Sequence, residues 1–187
     1  MLEKGNIEPT ELVQQLAARI QTANLDWENS KAWTKALKES LRDLLETKGT
    51  NITEVLYSDG DRGKHEFLLD LVVWDRSSGE GVILAVESEW SQRINDVLDD
   101  FWKLLVVKAP IKLMIFACNK KPRTFSQDAI WNKLSDCLLR YRDHVKNEHY
   151  VFMDYAPPPG RKAWWINIPA NGKIDALPER NWVVEFE

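Results

Sequence analysis

Only two cysteines, Cys118 and Cys137, occur in the 187 residues of this chain. The start, Met1-Leu2-Glu3-Lys4-Gly5, lacks the basic-then-apolar pattern of a secretory signal. The two thiols therefore read as reduced groups of a cytoplasmic protein, and they are too few for a zinc motif. The three histidines, His65, His144 and His149, are scattered, which argues against a histidine-based metal site. No apolar run is long enough to cross a bilayer; Leu68 to Trp74 is short and interrupted by Asp70, so no membrane partner is expected. Positive charge is not in excess either. The formal net charge is −4, so any binding of nucleic acid must rest on a local patch, reinforced if the chain forms a homo-oligomer, and not on the overall field. Internal repeats, low-complexity tracts and linkers are missing as well, and residues 1–187 read as one domain.

What is present is a globular composition, with 44% hydrophobic and 29% charged residues. Nine tryptophans point to an aromatic core. Adjacent Trp164 and Trp165 cannot both face inward on a strand, so one of them is a candidate for contact with a partner or a base.

Periodicity orders the chain. Leu12, Val13, Leu16, Ala17 and Ile20 recur at helical spacing within residues 9–23, and Trp33, Leu37, Leu41, Leu44 and Leu45 do so within 27–48, before Gly49. Residues 51–57 read as a strand. The Asp59-Gly60 and Gly79-Glu80-Gly81 segments read as turns, making residues 51–89 a three-strand meander. Ser91 is a candidate N-cap for a helix over 92–107 that Pro110 ends. Ile111 to Ala117 has no charge at its centre and reads as a central strand. Thr124 and Gln127 fit a capping box for a helix over 126–146, and strands are expected at 150–154, 163–168 and 182–186.

Acids interrupt this pattern where burial is expected. Asp70 stands inside Leu68-Leu69-Asp70-Leu71-Val72-Val73, and Glu87 and Glu89 end the next strand, two residues apart and so on one face. Clustered carboxylates at buried positions repel one another and lose hydration unless a cation neutralises them. A divalent metal held for chemistry is the simplest reason for that cost.

An Asp on one strand, a short hairpin, and Glu87-Ser88-Glu89 at the end of the next, within a helix–three-strand–helix–strand order, resembles the PD-(D/E)XK nuclease superfamily. The resemblance covers roughly residues 30–117. It implies an α/β fold with a restriction-endonuclease-like αβββαβ core at about 27–146, a mixed central sheet flanked by helices, and the N-terminal helix and C-terminal strands appended. It also implies a Mg²⁺ (or Mn²⁺) site built from Asp70, Glu87 and the Ser88 backbone carbonyl, with DNA as the substrate of a phosphodiester hydrolase. The chain departs from the family pattern at two points: Leu69 precedes Asp70 in place of proline, and Glu89 stands where the family has lysine, giving Glu-x-Glu for Glu-x-Lys. Glu89 could itself orient or deprotonate the attacking water. Lys103, on the following helix, could supply a migrated lysine; taken alone it reads as a solvated or snorkelling side chain. The third option is a catalytically degenerate nuclease fold used for nucleic-acid binding or protein assembly. Glu54, Asp43, Glu39 and Glu46 are candidates for a further acid, with Glu54 preferred because it shares a strand face with Ile52 and Leu56. Asp96, Asp99 and Asp100 read as one solvated helix face. Lys120, Lys121, Arg123, Arg140, Arg142, Arg161 and Lys162 are the candidate phosphate contacts.

Overall fold

The computed structural model describes residues 8–21, 29–47, 54–57, 69–75, 81–118, 125–155, 161–174, 176 and 184–186. Among them, the chain runs α1 (Pro9–Gln21), α2 (Ser30–Thr47), β1 (Glu54–Tyr57), β2 (Leu71–Asp75), β3 (Gly81–Glu89), α3 (Ile94–Val106), β4 (Ile111–Phe116), α4 (Gln127–Arg140), β5 (His149–Asp154), β6 (Arg161–Asn167) and β7 (Val184–Phe186). The strands form one sheet in sequence order. β1, β2 and β3 are the expected antiparallel meander. β3, β4 and β5 are mutually parallel, with α3 and α4 as the crossovers. β6 and β7 return antiparallel. The result is an α/β fold on a mixed sheet.

Two apolar clusters sandwich that sheet. Both crossovers step the same way across it, and a constant handedness of crossover puts α3 and α4 on one face. There Val97, Phe101, Leu104, Ile130, Leu134 and Leu138 meet Val72, Ala85, Met114, Phe152 and Trp164. The stripes of α1 and α2 cover the other face, where Leu16, Leu41 and Leu44 meet Leu71, Val73, Leu84, Leu113 and Val151. β4 is buried along its whole length, as a strand covered on both faces must be. Pro9 opens α1, where a missing N–H costs nothing. Asn29 starts α2, its Oδ1 accepting the Ala32 N–H at 3.0 Å.

Several expectations change. Asp70 lies in a bend immediately before β2, not within the strand. Ser91 does not cap α3: its Oγ is bonded to the Asp96 carboxylate, and the helix starts at Ile94 with Arg93 as N-cap. α4 is capped by Ser126, whose Oγ accepts the Ala129 N–H at 3.2 Å, and Thr124 lies outside the described residues. α4 also stops at Arg140, not 146. Past that point the chain is extended and carries His144 inward, where its Nε2 lies 2.9 Å from the Leu138 carbonyl; a continuing helix could not bring it there. Trp164 is buried and Trp165 packs against the α1–α2 cluster, so neither is the exposed tryptophan. Among the described residues that is Trp102 on α3, 45% exposed. The first turn and most of the second lie outside the described residues.

Candidate functional site

The C-terminal end of β3 is where the acids gather. Strand alternation puts Glu87 and Glu89 on the face covered by α3. The β2–β3 ladder ends at the Leu71–Val86 pair; just beyond it lie Asp70, in the bend, and Glu87, close enough for the Asp70 charge to act on the Glu87 carboxyl. Asp70 is pinned there by Ser88: Oδ2 accepts the Ser88 N–H at 2.9 Å and the Ser88 hydroxyl at 2.8 Å. Ser88, expected as a metal ligand through its carbonyl, thus also positions Asp70.

α3 supplies the rest. Asp100 and Lys103 are three residues apart and lie on one side of the helix. The Lys103 Nζ is 2.6 Å from Asp100 Oδ1 and 3.2 Å from Glu87 Oε1. Glu87 is 2% exposed, and its Oε1 has no aligned hydrogen-bond donor. The lysine lies close to that oxygen without being aligned on it. Burial, with the Asp70 and Asp100 charges beside it, pushes the Glu87 carboxyl up to about 8 despite the lysine. Burial also raises Glu89; the hydrogen bond that its Oε1 accepts from the Ser91 N–H opposes this, while contact with Asp100 and the charge of Asp96 add to it. For Lys103, burial acts downward, but the hydrogen bond to Asp100 and the two carboxylate charges outweigh it and the ammonium is held above the ordinary lysine range.

Asp70, Glu87, Ser88, Glu89 and Lys103 are therefore brought together. Glu54 is not. It pairs with Trp74, four residues along β2 from Asp70 and so about 13 Å away along the strand. Glu39 and Asp43 are exposed, beside Lys35 and Arg42, on the helix covering the opposite face; nothing is described of the Glu46 side chain. Asp100 is the acid that sequence reading misplaced. It is 16% exposed, whereas its neighbour Asp99 faces solvent. Asp96 is committed to Ser91 and Arg93. Of the candidate phosphate contacts, Lys120, Lys121 and Arg123 lie outside the described residues, and Arg140 pairs with Asp136 at 2.9 Å.

Comparison with protein-family models, with curated proteins and with solved structures returns no significant match. The reading of the site rests on its own chemistry.

That chemistry suits a hard divalent cation: the donors are carboxylate and carbonyl oxygens, and one buried carboxylate oxygen has no aligned donor. As the side chains stand, no three metal-ligating groups converge among the described residues. Asp70 is turned onto Ser88, and Lys103 stands between Glu87 and Asp100.

Two other buried polar groups were invisible in the sequence. Lys112 at the start of β4 and Glu148 before β5, each 1% exposed, pair at 2.7 Å. Tyr150 donates to Glu148 at 2.7 Å and accepts from Lys112 at 2.9 Å, and His144 Nδ1 lies 3.2 Å from the same hydroxyl. Asp154, at the end of β5, accepts the Cys118 N–H at 2.8 Å and the Gln127 side-chain amide at 2.5 Å, tying β4 to the start of α4. Glu148 Oε2, like Glu87 Oε1, meets its lysine without an aligned hydrogen bond; with their remaining partners inside the fold, both groups read as structural.

Proposed function

We infer that this protein is a Mg²⁺-dependent (or Mn²⁺-dependent) nuclease of the PD-(D/E)XK kind that hydrolyses phosphodiester bonds of DNA, with its lysine supplied by α3 in place of the strand. The observation that carries this reading is the Lys103 ammonium 3.2 Å from buried Glu87, with the Asp70 charge close by. It supplies from a helix the cation that Glu89 displaces from the strand. The order α2–β1–β2–β3–α3–β4 supports a restriction-endonuclease-like core.

In this reading Asp70, Glu87 and the Ser88 carbonyl would hold the cation, which when bound supplies Lewis acidity toward the phosphate and the attacking water. The side chains do the rest. Lys103 stays charged and donates to a non-bridging phosphate oxygen, offsetting the negative charge that builds there. Glu89 accepts the proton of the water as its oxygen bonds to phosphorus and the bond to the leaving oxygen breaks.

One observation favours a second reading, a nuclease fold used for binding or assembly. Glu89 Oε1 is occupied by the Ser91 N–H and its carboxyl touches Asp100, so the strand's third position is engaged internally. Plasmid nicking with Mg²⁺ and with Mn²⁺ tests both. Cleavage by the wild type that Asp70→Asn and Glu87→Gln each abolish supports the nuclease. No cleavage of supercoiled, linear or single-stranded DNA with either cation leaves the binding role.

A further inference from the structure

We propose that Lys103 is the resting counter-ion of this site: in the metal-free protein its ammonium takes the place of the cation, and arrival of a divalent metal drives it off Glu87 while Asp100 retains it. The proposal rests on the metal-site reading above and adds a coupling to it, in which the lysine is released toward substrate only once the cation is in place.

Three features support this. First, Lys103 is the cation that meets buried Glu87, at 3.2 Å. An ammonium and a divalent ion competing for the same group of acids, Asp70, Glu87 and Asp100, exclude one another by charge. Second, the lysine's two contacts are unequal. Asp100, on the same helix, is held at 2.6 Å. Glu87 is farther off and its Oε1 lacks an aligned donor. The weaker contact is the one a metal would replace, and the intrahelical one survives any adjustment between α3 and the sheet. Third, the lysine side chain is 32% exposed, on a flexible four-carbon stem. Its head can swing toward solvent without unpacking the cluster beneath α3.

The test is Mg²⁺ affinity measured by calorimetry without DNA, so that catalysis is not the readout. Lys103→Met, which keeps the length of the stem but removes the competing charge, is expected to bind Mg²⁺ about tenfold more tightly than wild type. Lys108→Met, which removes an exposed charge just past α3, is expected to change affinity by less than about twofold. Equal or weaker binding by Lys103→Met, or an equal gain in Lys108→Met, overturns the proposal and leaves the metal site standing. Absence of Mg²⁺ binding in both wild type and Lys103→Met removes the metal reading and this inference with it. Binding by Lys103→Met alone overturns the displacement, because the metal then fails to drive the lysine off in the wild type. Should Lys103→Met fail to fold, the wild type serves. Acylation of the Lys103 amine by a small reagent, followed by peptide mass spectrometry, is expected to speed up about threefold or more with Mg²⁺ relative to NaCl of equal ionic strength. An unchanged rate overturns the proposal.

Discussion

Asp70 Oδ2 accepts two hydrogen bonds from a single residue, Ser88, from the backbone N–H at 2.9 Å and from the hydroxyl at 2.8 Å. The acid that opens the site is therefore oriented by the strand carrying the other two. Ser88→Ala keeps the N–H contact and removes the hydroxyl. It is expected to cost about 1 kcal/mol of stability and to weaken Mg²⁺ binding by about tenfold, the lower end of what loss of a ligand-orienting partner costs. Urea denaturation and a calorimetric Mg²⁺ titration check the two together; full affinity in the variant would mean that Asp70 needs no such orientation.

How far the sequence discloses this arrangement depends on the distance over which each feature is encoded. Helical stripes such as Leu37–Leu41–Leu44 and the apolar runs of β3 and β4 are local, and they disclosed the order of elements and the sandwiched sheet. Asp70 and Glu87 were legible because an acid inside an apolar run has no local reason to be there. Asp100 was not, because on a helix it reads together with Asp96 and Asp99. Only the docking of α3 on β3 turns it inward while Asp99 stays in solvent. Glu54 shares a strand face with plausible neighbours, but the register set by the β1–β2 pairing carries it away from Asp70. Lys112 and Glu148 are 36 positions apart in the chain; their contact exists only because β4 and β5 lie side by side.

The Glu87 carboxyl should make metal-free stability depend on pH. Its folded-state value is raised by burial from 4.5 to about 8. Between those two values the unfolded chain has released the proton that the folded chain keeps. The stability it contributes is complete below about pH 4.5 and is lost as pH rises through about 8. Glu87→Gln cannot titrate at this position. In EDTA, the variant's stability relative to wild type should therefore grow between pH 5 and pH 9, by an amount on the order of 4 kcal/mol. Urea melts at several pH values read the difference. A gap that stays constant over this range would show that Glu87 titrates normally.

The Lys112–Glu148 pair tests the structure away from the site. Burial lowers the Lys112 ammonium, and its hydrogen bond and charge contact with Glu148 oppose this. Removing one member leaves the other charge buried, so Lys112→Met should cost about 3–5 kcal/mol. The double variant Lys112→Met, Glu148→Gln removes both charges and should recover at least about half of that loss. Additive losses in the double variant, measured by urea denaturation, would show that the two side chains do not act as a pair.

The position of the lysine gives the sharpest test of the chemistry. If Lys103 does from α3 what a strand lysine does at residue 89, Lys103→Met should reduce DNA cleavage by at least ~10²-fold. Glu89→Gln should still bind metal but also cleave at least ~10²-fold more slowly, because the proton acceptor is gone. Glu89→Lys alone places a second ammonium beside Lys103 and removes that acceptor, so it should not exceed wild type. The double variant Lys103→Met, Glu89→Lys moves the single ammonium from helix to strand. It should cleave about tenfold or more faster than Lys103→Met, Glu89→Gln, which lacks both the ammonium and the proton acceptor, because the charge returns to the same cluster of Asp70 and Glu87 by a different route. Cleavage rates of these variants under one saturating Mg²⁺ concentration decide the matter. Should the double variant stay as inactive as Lys103→Met, Glu89→Gln while still binding Mg²⁺, Lys103 would be more than a displaced strand lysine, and its place on α3 would itself be part of the chemistry.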